Sequence, residues 1–191
     1  MNILILGAGR VGSSLAEQLS CEESNDVTVV DTKKNVLREL QDRLDIRTIS
    51  GHASHPSVLK RAGCGDADIV VALTDSDETN MLACQISSTM FNTETKIARI
   101  RSTAYLHTQD LFGKESIPVD LCLSPEQLVC EHIEQLIHYP GALEVLEFAN
   151  GEVRLVAATV SHEGLLVGQK ISTLKEHIPN TEGRIAAIYR N

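Results

Sequence analysis

Near its start the chain carries Gly7-Ala8-Gly9-Arg10-Val11-Gly12, a G-x-G-x-x-G run. These residue types at this spacing suit one kind of chemistry, the close approach of backbone to phosphate. Gly7 permits a tight turn. Gly9 has no side chain to hold a pyrophosphate away. Gly12 lets a helix pack closely on a strand. A helix starting here turns free N–H groups and partial positive charge toward an anion. Asp31 lies 31 − 12 = 19 residues beyond the last glycine. A carboxylate there accepts hydrogen bonds from adenine-ribose hydroxyls and repels a 2′-phosphate, which favours NAD over NADP. Arg10 adds a guanidinium able to pair with phosphates in bidentate fashion. It would serve a triphosphate equally well, so ATP and ADP stand beside NAD as ligands. Lys33 and Lys34 read as a solvated helix start.

The surrounding elements are those needed to position such a site. The apolar run Asn2–Leu6 predicts a buried strand leading into the glycines. Val11, Leu15 and Leu19 mark one face of the helix that follows, and Val27–Val30 a second strand ending at Asp31. Helical spacing over residues 33–44 comes next, then a short strand at residues 47–50. Pro56 suits the first turn of a helix that Gly63 ends. Ile69–Leu73 is apolar throughout, as expected of a strand buried on both faces. Thr74-Asp75-Ser76-Asp77 caps a helix over residues 78–90. Residues 96–100 form the next strand, residues 102–112 a weaker helical segment, and residues 119–123 a further strand. This alternation predicts an α/β fold, a Rossmann-like, doubly wound, mostly parallel sheet. Ligands of such sheets bind beyond the carboxyl ends of the strands, at the switch point. That selects Gly7–Gly12, Asp31-Thr32, Gly51-His52-Ala53, Thr74-Asp75 and residues 99–102.

Within this set, Thr74 and Asp75 could meet an adenosine, or simply cap the helix. Glu78 and Asn80 lie on that helix's first turn. Arg99 sits in an apolar strand and needs a partner, which a ligand phosphate, Asp31 or Asp75 would supply. His52 and His55 lack a third metal-binding neighbour and read as loop and cap residues. No nucleophile–base arrangement is evident.

Composition narrows the function further. The 191 residues carry a net charge of −9, which excludes the basic face that nucleic acid requires. No apolar run is long enough for direct membrane insertion, and the start is no signal peptide. Five cysteines without a C-x-x-C pair point to a reducing, cytoplasmic setting. The pattern changes at Ser124. Pro125 opens a helix whose apolar stripe includes Leu128, Val129, Ile133, Leu136 and Ile137, and Pro140-Gly141 ends it. Two strand-like runs, residues 142–148 and 153–160, flank the hairpin signal Asn150-Gly151. A short helix at residues 171–175 and a strand at residues 184–189 complete the reading. We therefore expect a Rossmann-like domain at residues 1–123, a crossover helix at 124–141 and a small β-rich domain at 142–191. The last strand lacks a partner, which points to a truncated second domain or completion by another chain.

Two functions compete on these grounds. An NAD-dependent oxidoreductase needs a substrate domain with a general acid or base facing the nicotinamide, and residues 143–191 offer only His162 and His177. A ligand-sensing module needs a nucleotide unit, a linking helix and a second small domain, which the chain supplies in that order.

The joint pattern of Gly7–Gly12, Asp31, Gly51-His52-Ala53-Ser54-His55-Pro56, residues 71–81, Ala98-Arg99-Ile100-Arg101-Ser102 and Tyr139-Pro140-Gly141-Ala142-Leu143 resembles the RCK (KTN) modules of bacterial potassium-uptake regulators. The resemblance spans the chain. It implies an NAD-binding N-terminal domain, with cofactor contacts at Gly7, Ala8, Gly9, Arg10, Val11, Asp31, Thr74, Asp75 and Arg99. It implies NAD+ or NADH, or ATP/ADP, as ligand, and no catalysis. It further implies homodimers or tetramers through RCK modules, and a membrane potassium transporter as partner. The protein would then be cytoplasmic and peripheral to the inner face of the cell membrane. Full-length members carry two tandem modules, and this chain has one.

Overall fold

The computed structural model describes residues 1–108, 110–113, 115–149, 151–160, 167, 168, 170, 171 and 184–189. The chain divides into two compact units, Met1–Leu128 and Val129–Asn191.

The first unit is built on six strands: β1 (Asn2–Leu6), β2 (Asp26–Asp31), β3 (Arg47–Ser50), β4 (Ile69–Ala72), β5 (Thr95–Arg99) and β6 (Leu121–Leu123). They pair in the order β3-β2-β1-β4-β5-β6, and every pairing is parallel. The chain runs one way from β1 to β3 and the other way from β4 to β6. The switch point therefore falls between β1 and β4. Helices α1 (Arg10–Ser20), α2 (Lys34–Gln41), α3 (Pro56–Arg61), α4 (Asp77–Phe91) and α5 (Thr103–Leu106) fill the connections.

Side-chain alternation along β1 makes the layers. Leu4 and Leu6 join a cluster with Leu59 of α3 and Met81, Ala83 and Cys84 of α4. Ile3 and Ile5 point the other way, into a cluster with Ala16 of α1 and Leu37 and Leu40 of α2. Leu4, Ile5 and Leu6 are wholly buried, and full burial of a side chain of this size contributes about 1.5–3 kcal/mol. The sheet is covered on both faces, as the unbroken apolar strands require.

The amino edge of the sheet answers its own polar groups. Asn2 donates from its backbone to Asp68 Oδ2 at 2.7 Å and from its side chain to the Asp66 carbonyl at 2.8 Å. Lys96 is buried at the start of β5. Its Nζ lies 3.0 Å from Asp120 Oδ2 and donates to the carbonyls of Thr93 and Glu94. A buried ammonium with a counter-ion and two further acceptors is compensated.

Three expectations are corrected. Residues 102–112 hold only the single turn α5, followed by turns in which Asp110 has φ 62°. Leu106 and Phe112 are six apart, so no helical stripe sustains a longer helix. Helix α2 ends at Gln41, with Leu44 held by a further turn to the Leu40 carbonyl at 2.9 Å. Residues 184–189 carry no regular structure. A strand needs a hydrogen-bonding neighbour, which alternation alone does not supply. The helix expected at residues 171–175 falls almost wholly outside the described residues.

Helix α6 (Pro125–His138) begins in the first unit. In the second unit β7 (Ala142–Phe148) and β8 (Val153–Ala158) form an antiparallel hairpin, with Val145 buried. Gly151 takes φ +87° in its turn, whereas Asn150 lies outside the described residues. Leu128, Val129, Ile133 and Ile137 of α6, and Leu143, Leu146, Phe148 and Leu155 of the hairpin, are exposed. Among the described residues no helix is long and apolar enough to cross a membrane.

Candidate nucleotide-binding site

The candidate residues follow strands β1, β2, β4 and β5 at one edge of the sheet. The glycine turn stands first. Gly7 donates to the Val30 carbonyl at 2.8 Å and takes φ +108°. A Cβ there would lie 2.9 Å from the Leu73 carbonyl carbon and oxygen. Only glycine meets both demands, and the turn is thereby pressed against the end of β4. A Cβ on Gly12 would sit 1.9 Å from the Gly7 carbonyl oxygen. At Gly9 a Cβ would meet nothing within 4 Å. This position faces open space, the room that a pyrophosphate needs. Helix α1 starts on Gly9 without a side-chain cap and without an acidic residue in its first turn. Its positive end is left for an external anion.

Asp31 closes the turn from β2. Its Oδ2 accepts the Ala8 N–H at 2.7 Å, and its Oδ1 accepts the Lys33 N–H at 2.8 Å. Ala8 thus presents its amide to Asp31, while both carboxylate oxygens keep further acceptor capacity. Arg10 and Val11 are exposed. The Arg10 guanidinium has no hydrogen bond or ion pair among the described residues. Val11 and Arg10 line a shallow cavity of about 390 Å³ along α1, together with Ser14, Leu15 and Gln18. Val11 itself has only its backbone to offer a phosphate.

Across the switch point the end of β4 is tied to the end of β5. Asn80, wholly buried on α4, makes the tie. Its Oδ1 accepts from the Thr74 backbone N–H at 2.9 Å and from Thr74 Oγ1 at 2.7 Å. Its Nδ2 donates to the Arg99 carbonyl at 2.9 Å and the Thr74 carbonyl at 3.3 Å. Asp75 is exposed, and its carbonyl accepts from Arg101. The N-cap of α4 is Ser76, whose Oγ accepts the Thr79 N–H at 3.1 Å. Buried Asp77 accepts the backbone N–H groups of Arg101 and Ser102 through Oδ2, at 2.9 and 2.8 Å.

Arg99 departs from expectation. Its carboxylate partner is neither Asp31 nor Asp75 but Glu126, at 2.7 Å from Nη2 to Oε1. Helix α6 starts directly after β6, which pairs with β5, so its first turn delivers the acid. The Glu126 carboxyl is held below its ordinary 4.5, first by hydrogen bonding from its own backbone N–H and further by Arg99. Glu78 is lowered likewise by its own backbone N–H, then by the hydroxyls of Ser76 and Tyr105. The Nε of Arg99 is buried without a hydrogen-bond partner among the described residues.

The structure therefore bonds Ala8 to Asp31, ties Gly7 to the neighbouring Val30 and sets Thr74 against Gly7. It binds Thr74 to the Arg99 backbone through Asn80. Arg10, Val11 and Asp75 remain on the periphery. The roles of Asn80, Asp77 and Glu126 were not legible. The run at residues 74–80 signals a helix start, but residue type does not say which polar group turns inward. His52 bonds Ser54 at 3.0 Å and its ring stacks on His55 at 5.1 Å, a local loop arrangement.

The profile of the TrkA-N domain family matches residues 3–125. The Trk system potassium uptake protein TrkA of Halomonas elongata is 56% identical over 190 residues, covering 100% of this chain and 41% of that protein. The chain spans about two fifths of the length of such relatives. Among solved structures, the TrkA-N domain of inner membrane protein ybaL from Escherichia coli superposes with a TM-score of 0.61 at 19% identity, over 71% of this chain and 96% of that one. The Kef C-terminal domain of Shewanella denitrificans, in its AMP-bound form, gives 0.54 at 18% identity, over 73% and 82%. At such identities these structures speak for the fold. With six parallel strands in this order, a glycine turn at the switch point and the family profile matched over residues 3–125, the chain belongs to the TrkA-N domain family.

Proposed function

We propose that this chain is the nucleotide-sensing part of a cytoplasmic regulatory subunit for a membrane potassium transporter. Residues 1–123 bind NAD+ or NADH, with ATP or ADP as the other ligand class. Residues 124–141 connect them to residues 142–191. The ligand surface comprises Gly7, Ala8, Gly9, Arg10, Val11, Asp31, Thr74, Asp75 and Arg99. The observation that carries this reading is the turn itself. Gly9 opens on free space, α1 is uncapped, and Asp31 stands beside both.

In this reading the α1 terminus and Arg10 hold phosphate charge, Asp31 takes the ribose, and Thr74 and Arg99 meet the ligand from the far side of the switch point. The AMP bound to the Kef domain belongs to that protein and supports testing adenine nucleotides here. A sensor is favoured over a dehydrogenase because three pairs of polar side chains around the ends of β4 and β5 are engaged with one another: Asn80 with Thr74, Asp77 with Arg101, Glu126 with Arg99. None of these six is left poised as an acid or base. A ligand that binds two conformations with different affinity shifts their populations by that difference, and the transporter partner would read the shift. The exposed apolar faces of α6 and the hairpin support assembly into dimers or tetramers.

Calorimetric titration of one sample with NAD+, NADH, ATP and ADP tests the proposal. Saturable binding of at least one, with no steady turnover, is the expected result. Flat titrations with all four, or sustained hydride transfer to a small substrate, would overturn it.

A further inference from the structure

Arg99 is held at one end and engaged at the other. Asn80 fixes its carbonyl to the end of β4, and β6 flanks its strand. Its side chain is only 19% exposed, whereas that of its partner Glu126 is 58% exposed. The arginine is thus the anchored member and the glutamate the one free to leave. Their contact is a single bond, Nη2 to Oε1. A guanidinium offers a fork of donors suited to two parallel bonds, yet Nε remains buried and unpartnered among the described residues. The pairing with Glu126 therefore leaves Arg99 under-satisfied, and a group with several anionic oxygens would answer it better. Glu126 also occupies the first turn of α6, the helix that leads out of this unit into the next. The start of α6 has its own tie through the Ser124 carbonyl, which accepts the Leu128 N–H at 3.0 Å. Loss of the Arg99 contact would remove this turn's side-chain tie to β5 without unwinding it.

We propose that Glu126 is a built-in competitor for the ligand's phosphate. It holds Arg99 while the site is empty, and it gives Arg99 up when a pyrophosphate-bearing nucleotide binds, freeing the first turn of α6. This deepens the proposed function and rests on it. It also supplies a physical link from the strand ends to the helix that leaves the unit. The phosphate and the displaced carboxylate repel each other, so the released state of Glu126 is maintained for as long as ligand is bound.

The test uses the full chain as wild type, Glu126→Gln, Arg99→Gln and the double variant, titrated calorimetrically with NAD+ and with ADP. Removing the competitor should tighten binding roughly two- to fivefold, the range set by exposed ion pairs. The double variant should bind like Arg99→Gln alone. Hydrogen exchange over residues 124–128 should rise in wild type when NAD+ is added, and should already be raised in Glu126→Gln without ligand. If wild type binds either nucleotide while Glu126→Gln binds equally or more weakly, Glu126 is no competitor and the proposal fails. If wild type binds neither, the nucleotide reading falls, and this proposal with it.

Discussion

Asp31 holds the backbone of Ala8: its Oδ2 accepts the Ala8 N–H at 2.7 Å, and its other oxygen accepts that of Lys33 at 2.8 Å. The carboxylate read as a ribose acceptor therefore also shapes the glycine turn itself. Asp31→Ala should cost on two accounts. Without ligand, stability falls by about 1–3 kcal/mol as two amides lose a charged acceptor. With NAD+, affinity falls by roughly 1.5–3 kcal/mol. Urea denaturation and calorimetry measure the two separately. Full stability in the variant would mean that the turn forms without the carboxylate.

The glycines separate room for the fold from room for the ligand. Gly9 has φ −70° and open space where a Cβ would lie. Gly9→Ala should leave stability unchanged, or raise it by about 0.4–1 kcal/mol through the unfolded chain, while weakening nucleotide binding. Gly12→Ala would force a Cβ to 1.9 Å from the Gly7 carbonyl oxygen and should disrupt the turn and lower the melting temperature. Equal stability losses in the two variants would contradict this division.

Asn80 satisfies four polar groups while wholly buried. Asn80→Ala strips partners from Thr74 and from the Arg99 carbonyl, and should destabilise the unit by about 2–3 kcal/mol. Asn80→Asp keeps the acceptor for the Thr74 N–H and hydroxyl but loses the donor to the Thr74 and Arg99 carbonyls; the β4 end keeps two bonds and the β5 end none, so it should perturb β5 more than β4. Denaturation curves and amide exchange at residues 74 and 99–101 distinguish these outcomes.

Glu78 sits on the first turn of α4 with its carboxyl held below 4.5 by its own backbone N–H, Ser76 and Tyr105. A carboxyl lowered in the folded state stabilises the fold above its unfolded value, and that contribution is lost as pH falls through the folded value. The stability difference between wild type and Glu78→Gln should thus be constant near neutrality and shrink as pH drops below 4.5. Chemical denaturation at several pH values reads it. A gap that widens on acidification would reverse the assignment.

Much of this was legible because local pattern and tertiary role coincide. Asn2–Leu6 is apolar at every residue but the first, and both faces of β1 are covered. The glycines and Asp31 declare themselves by type and spacing, since the turn they make is local apart from one strand pairing. Arg99 shows where this stops. Its strand position announced a need for a partner, but the partner lies 27 residues on, after a connection containing only one helical turn and a three-residue strand. Register between β5 and β6 chooses Glu126, and register is not written in either segment alone. Asn80 illustrates the same limit. Its type fits an exposed first turn as well as a buried tie, and only the packing of α4 against two strand ends decides.

Lys96 and Asn2 close the opposite edge of the sheet with partners of their own, Asp120 and Asp66 with Asp68. That edge asks nothing of a ligand, and binding at the far ends of the strands leaves its bonds in place. Exposed Asp42 and Asp45, in the connection between α2 and β3, are accordingly where a dye or fused reporter can be attached. A label there would track the protein while standing the full length of a strand away from the glycine turn.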